Sequence, residues 1–240
     1  MKKAGILFLF LCLCLTLTAQ YTIQVKVDSM PIKRAYLFDY VGNDRNMADS
    51  AKALPDGSFV FHLPADAHPG MYRIVVGPQQ FWDIIFNKES IRMKTCYTAI
   101  LDSLKILESK ENQLLNTYMQ YFLGIQRKEE LLRGLSGLYP TSDPFHQRIL
   151  EELKKVRSSD PEKMTREIVE KYPDTYVARF LKLELSPRVP VGVEPKDQMK
   201  YILDHFWDDV SFADSNQMYS PGLINKVRTF FSLYQRNFNP

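Results

Sequence analysis

From Tyr21 to about Tyr97, apolar residues recur at every second position. In YTIQVKVD, Tyr21, Ile23, Val25 and Val27 alternate with polar partners, the mark of a strand with one buried face. AYLFDYV, SFVFHL, MYRIVV, FWDIIF and SIRMKT extend the series. Turn signals separate them: Pro31, Gly42-Asn43-Asp44, Asp56-Gly57, Pro69-Gly70, Gly77-Pro78 and Asn87-Lys88. Short strands at this spacing predict a small antiparallel β-sandwich or barrel.

From about Ile100 the period becomes helical. Ser109 is placed to cap a long helix, SKENQLLNTYMQYFLGIQRKEELLRGL, with Leu115, Tyr118, Phe122, Ile125 and Leu132 along one face. Gly124 interrupts it and marks either weakness or close packing. Asp143-Pro144, Asp160-Pro161 and Ser220-Pro221 each set a capping side chain before a proline at a helix start. Asp174 is placed to cap a short helix carrying Val177, Phe180 and Leu181, and SPRVPVGVEP then reads as a linker. KDQMKYILDHFWDD presents Met199, Ile202, Leu203 and Phe206 on one stripe, and the last helix presents Ile224, Val227, Phe231 and Tyr234. The expected fold class is α+β. A β domain over residues 20–98 precedes a helical domain over residues 99–240, each large enough for a core.

The first residues follow neither period. Met1-Lys2-Lys3, an apolar run and Ala19-Gln20 predict a secretory signal peptide over residues 1–19. The run is shorter than the roughly 20 residues that span a bilayer comfortably. Export to the periplasm or cell envelope is expected, with no stable membrane span after cleavage. Cys12 and Cys14 fall in this run as small apolar residues, and Leu11 and Leu13 before them argue against lipid attachment. Cys96 is then the only cysteine, unable to close an intrachain disulfide, and is expected to be buried at a strand end.

The formal net charge of +3 falls to about +1 without Lys2 and Lys3. That is no electrostatic footprint for nucleic acid. With 45% hydrophobic and 25% charged residues, the bulk of the chain is expected to fold.

No catalytic or cofactor-binding residue stands out. In DHFWDDVSFAD, His205 and Asp209 lie four apart, as do Asp204 and Asp208, a spacing that can put two ligands on one helix face. Imidazole and carboxylate suit zinc, but a tetrahedral site needs more ligands than this segment supplies. No metal or other cofactor is therefore expected. Ser103, Ser109 and Ser220 lack a nucleophile-elbow context. His62, His68 and His146 read as structural or solvated. The sheet aromatics Tyr36, Phe38, Tyr40, Phe81 and Trp82 are divided between two faces by strand alternation. Phe81, Trp82 and, on the last helix, Phe230 are the candidates for a binding surface.

AYLFDYVGNDRNMADSAKALPDGSFVFHLPADAHPGMYRIVV carries Phe38-Asp39-Tyr40, Asp49-Ser50-Ala51, Asp56-Gly57-Ser58-Phe59-Val60-Phe61 and Gly70-Met71-Tyr72. In this order the motifs resemble an N-terminal β domain of unknown function in envelope proteins of Gram-negative bacteria. Ser109-Lys110-Glu111-Asn112, Tyr172-Pro173, HFWDDVSFADS and SPGLINKVRTFF resemble the helical region that follows it. In that family a thioredoxin-like domain of the thiol-disulfide reductase type commonly comes next. This chain has no C-x-x-C, so no redox residue carries over. The resemblance implies a non-catalytic exported accessory or docking module, with a thioredoxin-like envelope protein as partner. The alternative is an envelope receptor for a glycan or peptide, using the sheet face or the cleft between the two domains.

Overall fold

A computed structural model describes residues 21–31, 33–158 and 162–238. The expected signal peptide and the Asp160-Pro161 helix start lie outside the described residues. Among those described, eight strands form two four-stranded sheets. In the first, the order is β4 (Ser58–Leu63), β1 (Tyr21–Asp28), β7 (Ile91–Cys96) and β8 (Lys105–Glu108). In the second it is β3 (Asp44–Lys52), β2 (Arg34–Val41), β5 (Gly70–Val75) and β6 (Phe81–Phe86). Seven α-helices follow or flank them: α1 (Ile100–Ser103), α2 (Lys110–Leu138), α3 (Pro144–Ser158), α4 (Lys163–Lys171), α5 (Tyr176–Lys182), α6 (Gln198–Asp204) and α7 (Gly222–Phe238). The class is α+β. No described helix is long and apolar enough to cross a membrane.

Alternation places Ile23, Val25 and Val27 of β1 opposite Leu37, Ile74, Trp82 and Ile84 in one buried cluster between the sheets. The pairing is antiparallel except at β1–β7, where Ile23 to Asp28 run parallel to Ile91 to Cys96. A period of two reports which face is buried and carries no information on a neighbour's direction. Strand structure also continues past residue 98, because β8 extends the first sheet from Lys105 to Glu108.

The second sheet is covered on both faces over part of its area. Its outer residues Tyr40, Met71 and Ile85 join Leu115, Ile168, Val177 and Leu181 in a second buried cluster. The helices thus complete their core on the sheet.

Three residues at the start of α2 make that junction. Ser109 caps the helix, its hydroxyl accepting from the Asn112 N–H at 3.0 Å. The Asn112 side chain meets the outer edge of β6. Its oxygen accepts from the Ile85 N–H at 2.9 Å and its amide donates to the Ile85 carbonyl at 2.7 Å. The Glu111 carboxylate, buried at 5% exposure, accepts from the Tyr176 and Val177 N–H groups at 2.8 and 2.9 Å. It caps α5, where the free N–H groups and the helix dipole favour a negative charge. Asn87 donates to the same carboxylate at 2.7 Å.

Several local expectations change. Thr175 caps α5, its hydroxyl accepting from the Ala178 N–H, in the place expected for Asp174. The Ser220 hydroxyl donates back to the Gln217 carbonyl at 3.3 Å, so its first use is in closing the preceding turn. Asp143 accepts from the Phe145 N–H at 2.7 Å at the start of α3, as expected. Gly124 faces open space, which removes close packing as its reason. Beyond Phe122, α2 pairs with α3 through contacts such as Arg157–Glu129 at 3.0 Å, leaving Leu131 68% exposed.

Asn112→Ala strands a buried N–H and a buried carbonyl at Ile85. We expect a loss of about 3 kcal/mol in urea unfolding. A loss below about 1 kcal/mol would show that α2 is held to the sheet by apolar packing alone.

Candidate functional site

Beyond Asn112, α2 and the edge of β6 diverge. The space between them is a cleft of about 440 Å³. Phe81, Trp82, Asp83 and Ile84 of β6 form one wall, and Leu115, Asn116, Met119 and Phe122 of α2 form the other. Leu104 and Ile106, which lead into and along β8, close the base. Phe180 and Glu184, at and after the end of α5, complete the boundary.

The polar groups of the β6 wall already have partners. Arg73 stands beside Asp83 on the neighbouring strand and donates to both carboxylate oxygens, at 2.6 and 2.7 Å. The Tyr40 hydroxyl donates to the same carboxylate at 3.2 Å. The Arg73 guanidinium also lies 4.3 Å from the centre of the Phe81 ring. These interactions fix Phe81 at the rim, where it is 43% exposed. Trp82 points to the other face, into the inter-sheet core, and its indole N–H reaches the Met93 sulfur at 3.3 Å. Burial first, and then the Asp83 charge, push the Tyr40 hydroxyl pKa up to about 12. Bonding to Asp83 raises the Arg73 pKa further and keeps the guanidinium charged. Desolvation raises the Glu184 pKa against the opposing pull of the Lys226 charge, although the residue keeps solvent contact.

The cleft can remove an apolar group from water. It is poorly suited to paired-carboxylate chemistry, because both oxygens of Asp83 are engaged by Arg73 and the Glu184 carboxyl has no hydrogen-bonded base. Among the described residues no group of three or more His, Cys, Asp or Glu is placed to hold a metal ion.

The residues singled out in the sequence separate into different places. Phe81 and Trp82 both line the cleft, as part of its β6 wall. Phe230 of α7 is part of a distinct aromatic group with the turn after α6, its ring centre 5.4 Å from that of Phe206 and 5.3 Å from that of Trp207. The helix before His205 ends at Asp204, so the four-residue spacing to Asp209 is not helical. His205 pairs with Asp208 at 2.7 Å, and Asp204 pairs with Lys200 at 2.6 Å. Ser103 accepts from the Cys96 N–H and donates to the Ala99 carbonyl, closing a turn. His62 is exposed on β4, and His146 is buried on α3. His68 stacks on Tyr219 at 3.5 Å and bonds Asp39 at 3.1 Å, pinning the 215–219 turn to the sheet.

Cys96 departs from expectation. It ends β7 and is only partly covered. The Thr98 side chain and backbone, both hydrogen-bonded to the thiol, lower its pKa.

Asn112, Asn116 and Arg73 were not among the sequence candidates. A usable signal was present: Asn112, Leu115, Asn116 and Met119 follow one helical stripe, so two amides fall on an apolar face. Residues 21–115 match the family model described as Domain of unknown function (DUF4369). This segment spans both sheets and ends on α2 at Leu115, so it includes the β6 wall and the Ser109–Asn112 turn. No curated protein matches the chain.

Tyr40 supplies a test of the wall. A tyrosine with a folded pKa above its unfolded value contributes stability that is full below pH 10 and lost as pH rises toward 12. Tyr40→Phe should make unfolding free energy less steep in pH across that window, by roughly one proton. An unchanged slope in urea titrations at stepped pH would mean that Tyr40 ionises freely in the folded protein.

Proposed function

We propose that this chain is a non-catalytic exported accessory module that works by binding through the cleft between β6 and α2. The carrying observation is the character of that cleft: its walls are mainly apolar, and the acid on its β6 wall is neutralised by Arg73. Such a site gains free energy by burying apolar surface, with a few polar groups setting orientation. The resemblance of the chain to regions that precede a thioredoxin-like domain suggests the setting, the cell envelope of a Gram-negative bacterium, and a thioredoxin-like protein as partner. The chain's lack of C-x-x-C accords with a supporting role. Between the two envelope ligands considered, the cleft favours a peptide over a glycan. A sugar offers many hydroxyls, and the cleft supplies few uncommitted polar side chains to receive them.

The purified, natively folded protein should bind an anilinonaphthalene sulfonate dye saturably at one site. Met119→Glu should weaken the dye about tenfold by placing in the apolar wall a charge of the same sign as the dye's sulfonate. The same protein should not accelerate the reduction of insulin disulfides by dithiothreitol above the protein-free rate. Absence of a saturable dye site would sink the cleft as the working surface, and catalytic turnover would sink the non-catalytic role.

A further inference from the structure

Antiparallel pairing determines which backbone groups of β6 face the cleft. The Val76 N–H donates to the Gln80 carbonyl at 2.9 Å, and the pairs Ile74–Trp82 and Tyr72–Ile84 follow at two-residue steps. These residues turn their N–H and C=O groups toward β5. Phe81, Asp83 and Ile85 alternate with them and turn theirs outward, because β6 is the last strand of its sheet. At Ile85 the outward pair is taken by Asn112. At Phe81 and Asp83 the outward N–H and C=O have no hydrogen-bond partner among the described residues.

Asn112 shows what this edge accepts. A primary amide presents one donor and one acceptor in a plane, the same pair that a peptide unit presents. Asn112 therefore stands where a neighbouring strand would stand. One helical turn on, Asn116 lines the cleft, and its amide has no partner among the described residues. Four helical residues rise about 6 Å. Two strand residues span about 6.8 Å. Asn116 thus keeps approximate step with Asp83, but across the cleft from it.

Resting on the reading of the cleft as the binding site, we infer that its ligand is an extended peptide that adds to β6 as a fifth strand. Its main chain bonds the outward groups of Phe81 and Asp83. A peptide amide on its far side meets Asn116. Alternate side chains enter the apolar space against Leu115, Met119 and Phe122. Strand addition of this kind derives affinity from main-chain bonds and selectivity from alternate pockets. The Glu184 carboxylate, at the solvent-exposed boundary and without a side-chain hydrogen bond among the described residues, favours a basic side chain at that end of the peptide in addition to the nearby Lys226 charge.

The test uses a pool of blocked octapeptides, with valine or leucine at alternate positions and threonine or lysine between them. Members of the pool should displace the dye, and binding should slow hydrogen exchange at the Phe81 and Asp83 amides. The binding peptide with methyl groups on alternate backbone nitrogens should bind about tenfold more weakly in one of its two registers, the equivalent of losing an edge hydrogen bond. Phe81→Pro, which removes an outward donor at the first residue of the strand, should weaken the peptide about tenfold more than Phe81→Val. Dye binding with no displacement by any peptide would overturn strand addition and leave the cleft as a site for another apolar ligand. Equal affinity of both methylated registers, or unaltered exchange at Phe81 and Asp83 on binding, would overturn it too. Absence of both dye and peptide binding would overturn the cleft reading together with this one.

Discussion

The attachment of α2 to the sheet rests on a four-residue turn, Ser109 to Asn112, whose side chains supply hydrogen bonds that three different elements lack. Ser109 meets the open end of its own helix, Asn112 meets the open edge of β6, and Glu111 meets the open end of α5. Each open group would be costly to bury alone. Joined, they let the helices lie on the outer face of the second sheet without stranding backbone polar groups. The cleft is a by-product of the same attachment. A straight helix pinned at one end to an edge strand leaves a wedge where the two separate.

Much of the fold was legible because it rests on periodicity. The alternation in YTIQVKVD reports one buried face, and Ile23, Val25 and Val27 are buried. Helix starts at Ser109 and Asp143 were legible because capping is local chemistry. At the short helix after Pro173 the same chemistry allowed two neighbouring caps, and Thr175 took the place expected for Asp174. The parallel β1–β7 pairing was hidden, since both pairing directions share one burial pattern. So was the partial exposure of Cys96, which depends on how the chain turns after β7.

The candidate site was half legible. Phe81 and Trp82 stood out as aromatics on an apparent strand, and both border the cleft. Phe230 stood out as an aromatic on the last helix but packs elsewhere, against Phe206 and Trp207. Aromatic content alone does not report which elements approach one another. Asn112 and Asn116 were the better markers. An amide on an otherwise apolar helix face needs a partner across the interface, and Asn112 has one in Ile85. Arg73 became meaningful only with the β5–β6 register, which sets it beside Asp83.

The parallel pairing of β1 and β7 bears on folding time. β1 is an interior strand of its sheet, lying between β4 and β7. Its partners come from far along the chain, Ser58–Leu63 on one side and Ile91–Cys96 on the other. Closing such long loops before their contacts stabilise anything is the entropic cost that slows β-rich proteins. The first sheet therefore cannot assemble by adding neighbouring hairpins in order. Completing it requires residues from distant parts of the chain to come together. Until those partners arrive, the apolar face of β1 is uncovered and open to mispairing with another copy.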